Sequence, residues 1–481
     1  MMKLSLMPCA LLSAFVLAGC AVGPDFVRPA APTAQRYTAE PLRELPADGA
    51  TGQRFVAGQD VLPRWWTLFG SDELNALVDA ALAANPDLQA ADAGLRAARE
   101  TAAAQRGALA PTVDLQLTPT RQQVARTLSS PTASGVNLYT LHTAQLNIAY
   151  APDVFGGTRR ALEAGAAQVD AVRCEADAAR LTLVSNLVLA AITDASLRAQ
   201  LEAMTALADS ARKQLDAVRK QQHAGLLGAA DVAAQEALLA QAQAGLPPLE
   251  KQLQQQRDLL AVLVGRLPSD SPASQLTFDS LHLPEQLPVS LPARLVAQRP
   301  DIRAAEAQLH AASAQVGVAQ AARLPGVSLT ASLGSAALTT GTLFKAGTGL
   351  WSIGADLVQP LFHGGALMHE QRAAEAQYDQ AAAQYRSVVL TAFQNVADTL
   401  YAIEADARGL RAAAAAEQAA GRSLTIARRQ WQLGGGAYTA VLQAEQAYQQ
   451  AAMALIQARA ARYADTVALF QALGGGWQNQ A

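Results

Sequence analysis

Residues 158–224 read TRRALEAGAAQVDAVRCEADAARLTLVSNLVLAAITDASLRAQLEAMTALADSARKQLDAVRKQQHA. These 67 residues hold no proline and one glycine, Gly165. The stretch predicts a single helix, which rises about 100 Å at 1.5 Å per residue. No compact domain needs that length. A coiled coil does, or a helical tube crossing a wide space. Residues 367–433 predict a second helix of the same kind. Each ends at glycines, Gly225 to Gly228 and Gly434-Gly435-Gly436, and is followed by a return helix, 229–265 and 437–473. Pro247-Pro248 is expected to kink or break the first return.

The two long helices belong to an internal duplication. Residues 85–117 match 299–331 at an offset of 214: Pro86-Asp87 with Pro300-Asp301, Leu95 with Leu309, Pro111 with Pro325. Further on the offset is 209: Asp170 with Asp379, Asn186 with Asn395, Arg219 with Arg428, Gly225 with Gly434, Glu236 with Glu445. Alanine matches mean little in so alanine-rich a chain, but these do. The reading is two repeats, 72–285 and 286–481, after a Pro- and Gly-rich leader, 20–71, expected to be extended. Each repeat runs helix, strand, strand, long helix, return helix. The first helix of repeat one covers 72–110 in pattern. The strands are expected at about 112–126, 138–150, 326–338 and 350–359, from the alternation of Val113, Leu115 and Leu117, and of Trp351, Ile353, Ala355 and Leu357, with polar or small residues.

Each strand has one apolar and one polar or small face, as a transmembrane barrel strand does. Four strands cannot close a barrel, and open edges in lipid leave unpaired backbone. Three copies give twelve strands, so the arithmetic predicts a trimer. Charged residues are only 16% of the chain and aromatics 5%. Such a chain packs helices through small side chains. A net charge of −3 gives no support to nucleic-acid binding. Three cysteines cannot form a disulfide scaffold. Cys174, in an Ala-rich helical stretch, reads as a small buried apolar residue.

The N-terminus carries Lys3, an apolar run from Leu4 to Val16, and Leu17-Ala18-Gly19-Cys20. The run is too short to span a membrane. The tetrapeptide resembles the lipobox of bacterial lipoproteins. That resemblance implies cleavage of a signal peptide, 1–19, and a covalent lipid, S-diacylglycerol and N-palmitoyl, on Cys20. Ala21, rather than Asp, favours the outer membrane.

Taken with Val22-Gly23-Pro24-Asp25-Phe26-Val27-Arg28-Pro29, Trp65-Trp66-Thr67-Leu68-Phe69, Asn85-Pro86-Asp87, Arg299-Pro300-Asp301-Ile302-Arg303, the Phe155-Gly156-Gly157 and Phe362-His363-Gly364-Gly365 turns and the segment 432–445, the whole chain resembles the TolC-like outer membrane factors, in their lipidated NodT-type branch. The resemblance implies a homotrimer with a twelve-stranded outer membrane β-barrel on a periplasmic α-helical barrel. It implies an exit duct for a tripartite RND-type efflux pump, anchored in outer membrane lipid and working with a periplasmic adaptor and an inner membrane transporter. A secretion duct is the near alternative. A coiled-coil structural lipoprotein is the more distant one, and it has no need of four amphipathic strands.

The same resemblance places adaptor contact at the tips between long and return helices, His223-Ala224-Gly225-Leu226 and Gln432-Leu433-Gly434-Gly435. It makes Asp231 a candidate for an acidic ring at the periplasmic gate, although Asp at a helix start is also favoured locally. Gln443 and Gln446 stand where relatives carry Asp and Arg, which implies a gate held by neutral hydrogen bonds. Arg428 and Arg429 are candidate ion-pair partners there, with solvated surface charge the plainer reading. Trp351, on an apolar strand face, is a membrane-interface candidate. Catalytic and metal readings find little. Ser210-Ala211-Arg212-Lys213 lies mid-helix without companion motifs, and His369-Glu370 lacks the second His of a metalloprotease. No enzyme activity, cofactor or metal is expected.

Overall fold

The computed structural model describes residues 21–41, 52–125, 127, 132, 135–270 and 276–476. The signal segment and Cys20 lie outside these. In chain order the elements are β1 (Arg54–Ala57), a 3-10 turn (Trp65–Phe69), α1 (Asp72–Ala84), α2 (Pro86–Arg106), β2 (Thr112–Gln123), β3 (Leu138–Tyr150), α3 (Gly157–His223) and α4 (Ala229–Leu263). Then come β4 (Gln286–Val289), α5 (Pro292–Gln298), α6 (Pro300–Ala321), β5 (Gly326–Ala337), β6 (Gly349–Val358), α7 (Ala366–Gln432) and α8 (Tyr438–Ala472). The two long helices are 67 residues each, and the two returns are 35 each. Both pairs are displaced by 209 positions, and β2 and β5 by 214, the two offsets of the duplication.

Four features depart from the expectations. The leader is not wholly extended: β1 pairs in parallel with β4, Phe55 opposite Leu287, and the chain then makes the 3-10 turn. The helix expected over 72–110 is broken at Asn85, because the residue before a proline is pushed out of the α region; Asn85 sits at ψ 125. β2 ends at Gln123, short of 126, a residue outside the described set. Finally, α4 runs unbroken through Pro247 and Pro248. Both prolines are exposed, as are Gln243 and Ala244, the residues whose carbonyls lose their helical donors. On the opposite face Ala242, Leu249 and Leu253 pack with Leu197, Met204 and Ala208 of α3 on both sides of the prolines. Burying each Leu or Met contributes about 1.5–3 kcal/mol, enough to offset a local break of about 3 kcal/mol.

The chain divides into two compact units. The first, residues 1–29, 94–172 and 304–385, contains an antiparallel sheet of order β2-β3-β5-β6. Here the leader is tied down by buried Arg160, which donates to the Val22 carbonyl at 3.1 Å and to Asp25 at 2.7 Å, and pairs with Glu163 at 2.8 Å. Phe26 stacks on His310 at 4.3 Å, and Arg28 pairs with Glu306 at 2.8 Å.

The second unit, residues 30–93, 173–303 and 386–481, holds the helix returns and an aromatic core. Trp65 lies 5.2 Å from Phe470, and Phe69 6.1 Å from Tyr463. Trp65, Trp66, Phe69 and Phe470 are fully buried, so these aromatics fasten the leader to the helices. The duplication recurs as two equivalent joints. Asn85 caps α2 through its side-chain oxygen and donates Nδ2 to the carbonyl of Leu263, the last residue of α4, at 3.0 Å. Arg299, at the matching place before α6, pairs with Asp301 and donates to the carbonyl of Ala472, the last residue of α8, at 2.9 Å. The Asn-Pro-Asp and Arg-Pro-Asp motifs therefore do the same work, turning a helix start against the end of a return helix.

Candidate functional site

Two places offer function: the sheet of the first unit and the helix tips of the second. In the sheet, Val113, Ile148, Ala331 and Ile353 share one cross-strand row, and Leu115, Leu146, Leu333 and Trp351 the next row on the same face. The other face carries the rows Asp114–Asn147–Ser332–Ser352 and Gln116–Gln145–Gly334–Leu350. Polar neighbours bond there: Asn147 donates to Gln116 at 3.2 Å, and the Ser332 and Ser352 hydroxyls meet at 2.8 Å. The apolar face is open, with Leu115 71%, Trp351 74% and Ile353 78% exposed. Water disfavours such a face by about 25 cal/mol per Å², and hydrocarbon does not. Trp351 is the third residue of β6, beside the connection from β5. Among the described residues β2 and β6 each bond to one neighbouring strand, so the sheet has two open edges there.

At the tips, Gly225 and Gly434 both sit at φ +76°, a left-handed conformation in which a Cβ is strained. The bonds match as well: Leu226 N–H donates to Gln221 and Gly435 N–H to Gln430, each at 2.9 Å. Leu226 and Leu433 are exposed. Ala224 and Gly225 donate their N–H groups back to the end of α3. Asp231 takes the local role: its carboxylate accepts the Gly228 N–H at 3.0 Å and closes the first turn of α4. Gln443 and Gln446 are exposed on α8.

Arg428 corrects the plainer expectation. It is not simply a solvated charge: it pairs at 2.8 Å with Glu445, only 3% exposed, and also donates to Ser210 at 3.2 Å. Glu445 accepts from Gln214 as well. Nearby, the Tyr438 hydroxyl donates to Gln235, whose amide donates to the Ala211 carbonyl at 2.9 Å. Burial pushes the Tyr438 hydroxyl pKa well above its ordinary value, and the Glu445 and Asp231 charges add to this. Arg428, Glu445 and Tyr438 of repeat two are thus latched to Ser210, Gln214 and Gln235 of repeat one. In repeat one the matching Arg219–Glu236 pair forms at 2.7 Å but is half exposed. Sequence reasoning passed over Glu445, although the paired matches Arg219/Arg428 and Glu236/Glu445 marked both partners.

One further polar pair lies between α7 and α8. Asp406 of α7 and Asp465 of α8 lie near buried Arg462; burial first, then the Asp465 carboxyl, pushes Asp406 up to about 7. Among the described residues no three metal-ligating side chains converge, Ser210 is bonded to Arg428, and Cys174 is buried.

Residues 77–266 and 291–475 match the profile of a family described as outer membrane efflux protein, one block for each repeat. The pyoverdine export outer membrane protein OpmQ of Pseudomonas putida is 32% identical over 418 residues, spanning 86% of this chain and 88% of its own. The solvent efflux pump outer membrane protein SrpC of Pseudomonas putida is 33% identical over 83% of each chain. Among solved structures, VceC of Vibrio cholerae superposes with a TM-score of 0.81 at 30% identity, over 87% of this chain and all of its own. The outer-membrane channel OprN superposes with a TM-score of 0.86 at 27% identity, over 95% of this chain and all of its own. With both repeats matched and the whole architecture shared, this chain belongs to the outer membrane efflux protein family.

Proposed function

We propose that three copies of this chain form the passive exit duct of a tripartite efflux pump, carrying small molecules across the outer membrane. The observation that carries the reading is the four-stranded sheet with an exposed apolar face, a polar face and two open edges. In lipid every edge must be paired, and closure with other copies is the way to pair these. The polar face then lines water and the apolar face meets acyl chains, as barrels require. A coiled-coil spacer gives no account of this sheet. The relatives' names speak of pyoverdine, solvents, toluene and antibiotics, so the cargo class is small molecules rather than secreted proteins. Choice of cargo falls to the inner membrane transporter, joined through an adaptor at the tips Ala224–Leu226 and Leu433–Gly435. A duct makes and breaks no covalent bond and needs no cofactor.

Lipid on Cys20 belongs to the same reading. Ala21 packs against Gly156, and the Val22 N–H donates to the Phe155 carbonyl at 3.0 Å. Conductance of the purified protein in planar bilayers tests the duct. Discrete openings support it, and cation preference that falls in Asp231→Ala adds an acidic ring at the gate. Protein that remains monomeric and conducts no ions when inserted refutes it.

A further inference from the structure

Where α3, α7 and α8 meet, the packing leaves a cavity of about 250 Å³, wholly within the second unit. Interiors normally close such gaps. Here Ala203, Ala206 and Ala452 stand on the wall, too short to fill it. Met204, Leu207, Leu424 and Met453 make the rest of the apolar lining. The lining changes character along α3. Ser210, six residues and about 9 Å nearer the tip than Met204, lies with Arg428 and Glu445, so one end of the cavity is the polar latch itself. Arg428 sends both of its bonds, to Glu445 at 2.8 Å and to Ser210 at 3.2 Å, from the same terminal nitrogen. Its Nε–H is buried and has no acceptor among the described residues.

We infer that this cavity is a binding site for a small uncharged aromatic molecule carrying one hydrogen-bonding oxygen, a phenol being the simplest case. Each part of that description has its own cause. Size follows from the volume: 150 Å³ holds benzene, so 250 Å³ takes roughly ten non-hydrogen atoms. The ring suits the two thioethers, because sulfur packs well against aromatic edges. The oxygen answers the Arg428 Nε–H, which otherwise stays unpaired. The molecule is uncharged because Arg428 and Glu445 already neutralise each other, and a third charge would be desolvated without a partner. Such a ligand touches α3 of repeat one and α7 and α8 of repeat two together. It binds only while they are joined, so it favours the latched state of the tip region. Every residue involved belongs to one chain, so the site exists with or without closure of a trimer.

The test uses the full-length protein in lipid nanodiscs with 4-fluorophenol as probe, followed by fluorine NMR against empty nanodiscs. The expected result is one saturable site per chain with a dissociation constant below about 1 mM. Fluorobenzene, which lacks the hydroxyl, should bind about threefold to tenfold more weakly, and 4-fluorobenzoate, the charged analogue, more weakly than 4-fluorophenol. Ala206→Phe puts a ring on the cavity wall at an exposed position, and Ala452→Leu fills the same space more gently; both should remove the binding at unchanged melting temperature. At ten times the dissociation constant, hydrogen exchange in peptides from 200–215 and 440–455 should slow about tenfold in the parent protein alone. Uptake no greater than by empty nanodiscs, or binding that persists in both filled variants, overturns the site. Fluorobenzene or 4-fluorobenzoate binding as tightly as 4-fluorophenol overturns the assigned chemistry, and binding with unchanged exchange overturns the tie to the latch.

Discussion

Arg428→Met is the perturbation with the clearest arithmetic. It keeps the aliphatic stem and removes the guanidinium, so Glu445 stays buried with only the Gln214 amide as partner. Breaking a fully buried ion pair by removing one partner costs about 3–5 kcal/mol. Here Arg428 is 40% exposed, and water reaching the vacated volume reduces the cost to about 1.5–2.5 kcal/mol. At 1.4 kcal/mol per tenfold, amides of the tip segments open roughly 10- to 60-fold more often. Hydrogen exchange read by mass spectrometry on peptides from 205–220 and 425–450 measures this directly. The double variant Arg428→Met/Glu445→Gln removes the stranded charge and should recover most of the protection, the non-additivity expected of contacting groups. Unchanged exchange in Arg428→Met, or a double variant more labile than the single, refutes the reasoning.

Asp406 gives a pH dependence with a definite sign. Its carboxyl is held near 7, above the ordinary range, so the folded chain binds the proton more tightly than the unfolded one. That contribution is complete below about pH 4 and is lost as pH rises through about 7; Asp406→Asn should flatten the fall in melting temperature between pH 5 and 8. At the sheet, a Cβ on Gly334 would stand 2.3 Å from the Ala144 carbonyl on the neighbouring strand. Gly334→Val should therefore break the β3–β5 pairing and abolish heat-resistant oligomers on gels. At the tips, Gly434→Val forces a β-branched residue to φ +76°, which costs about 1–2 kcal/mol; proteolysis near 434 should quicken by about tenfold at similar overall melting.

The long helices were readable because proline is missing from 158–224 and 367–433, and the strands because apolar residues alternate with polar or small ones along much of their length. The duplicated joints were readable as Asn-Pro-Asp and Arg-Pro-Asp, although not the reason for them. Asn85 and Arg299 each reach a return-helix carbonyl more than 170 residues away, a distance no local pattern spans. The β1–β4 pair escaped because Arg54–Ala57 and Gln286–Val289 are four residues each, too short to show a period. Pro247-Pro248 misled because backbone chemistry forecasts a break, while the leucines that override it act through tertiary packing. Arg428 misled for the same reason: its burial depends on Glu445 and Ser210, on two other helices.

The most direct test is which face of the sheet meets water. Ser352→Cys and Ile353→Cys are neighbours on β6 pointing to opposite faces. In intact outer membranes, a membrane-impermeant thiol reagent should label Ser352→Cys through the open lumen and leave Ile353→Cys unlabelled in lipid. Equal labelling of the two, or labelling of Ile353→Cys alone, would contradict the barrel and with it the duct.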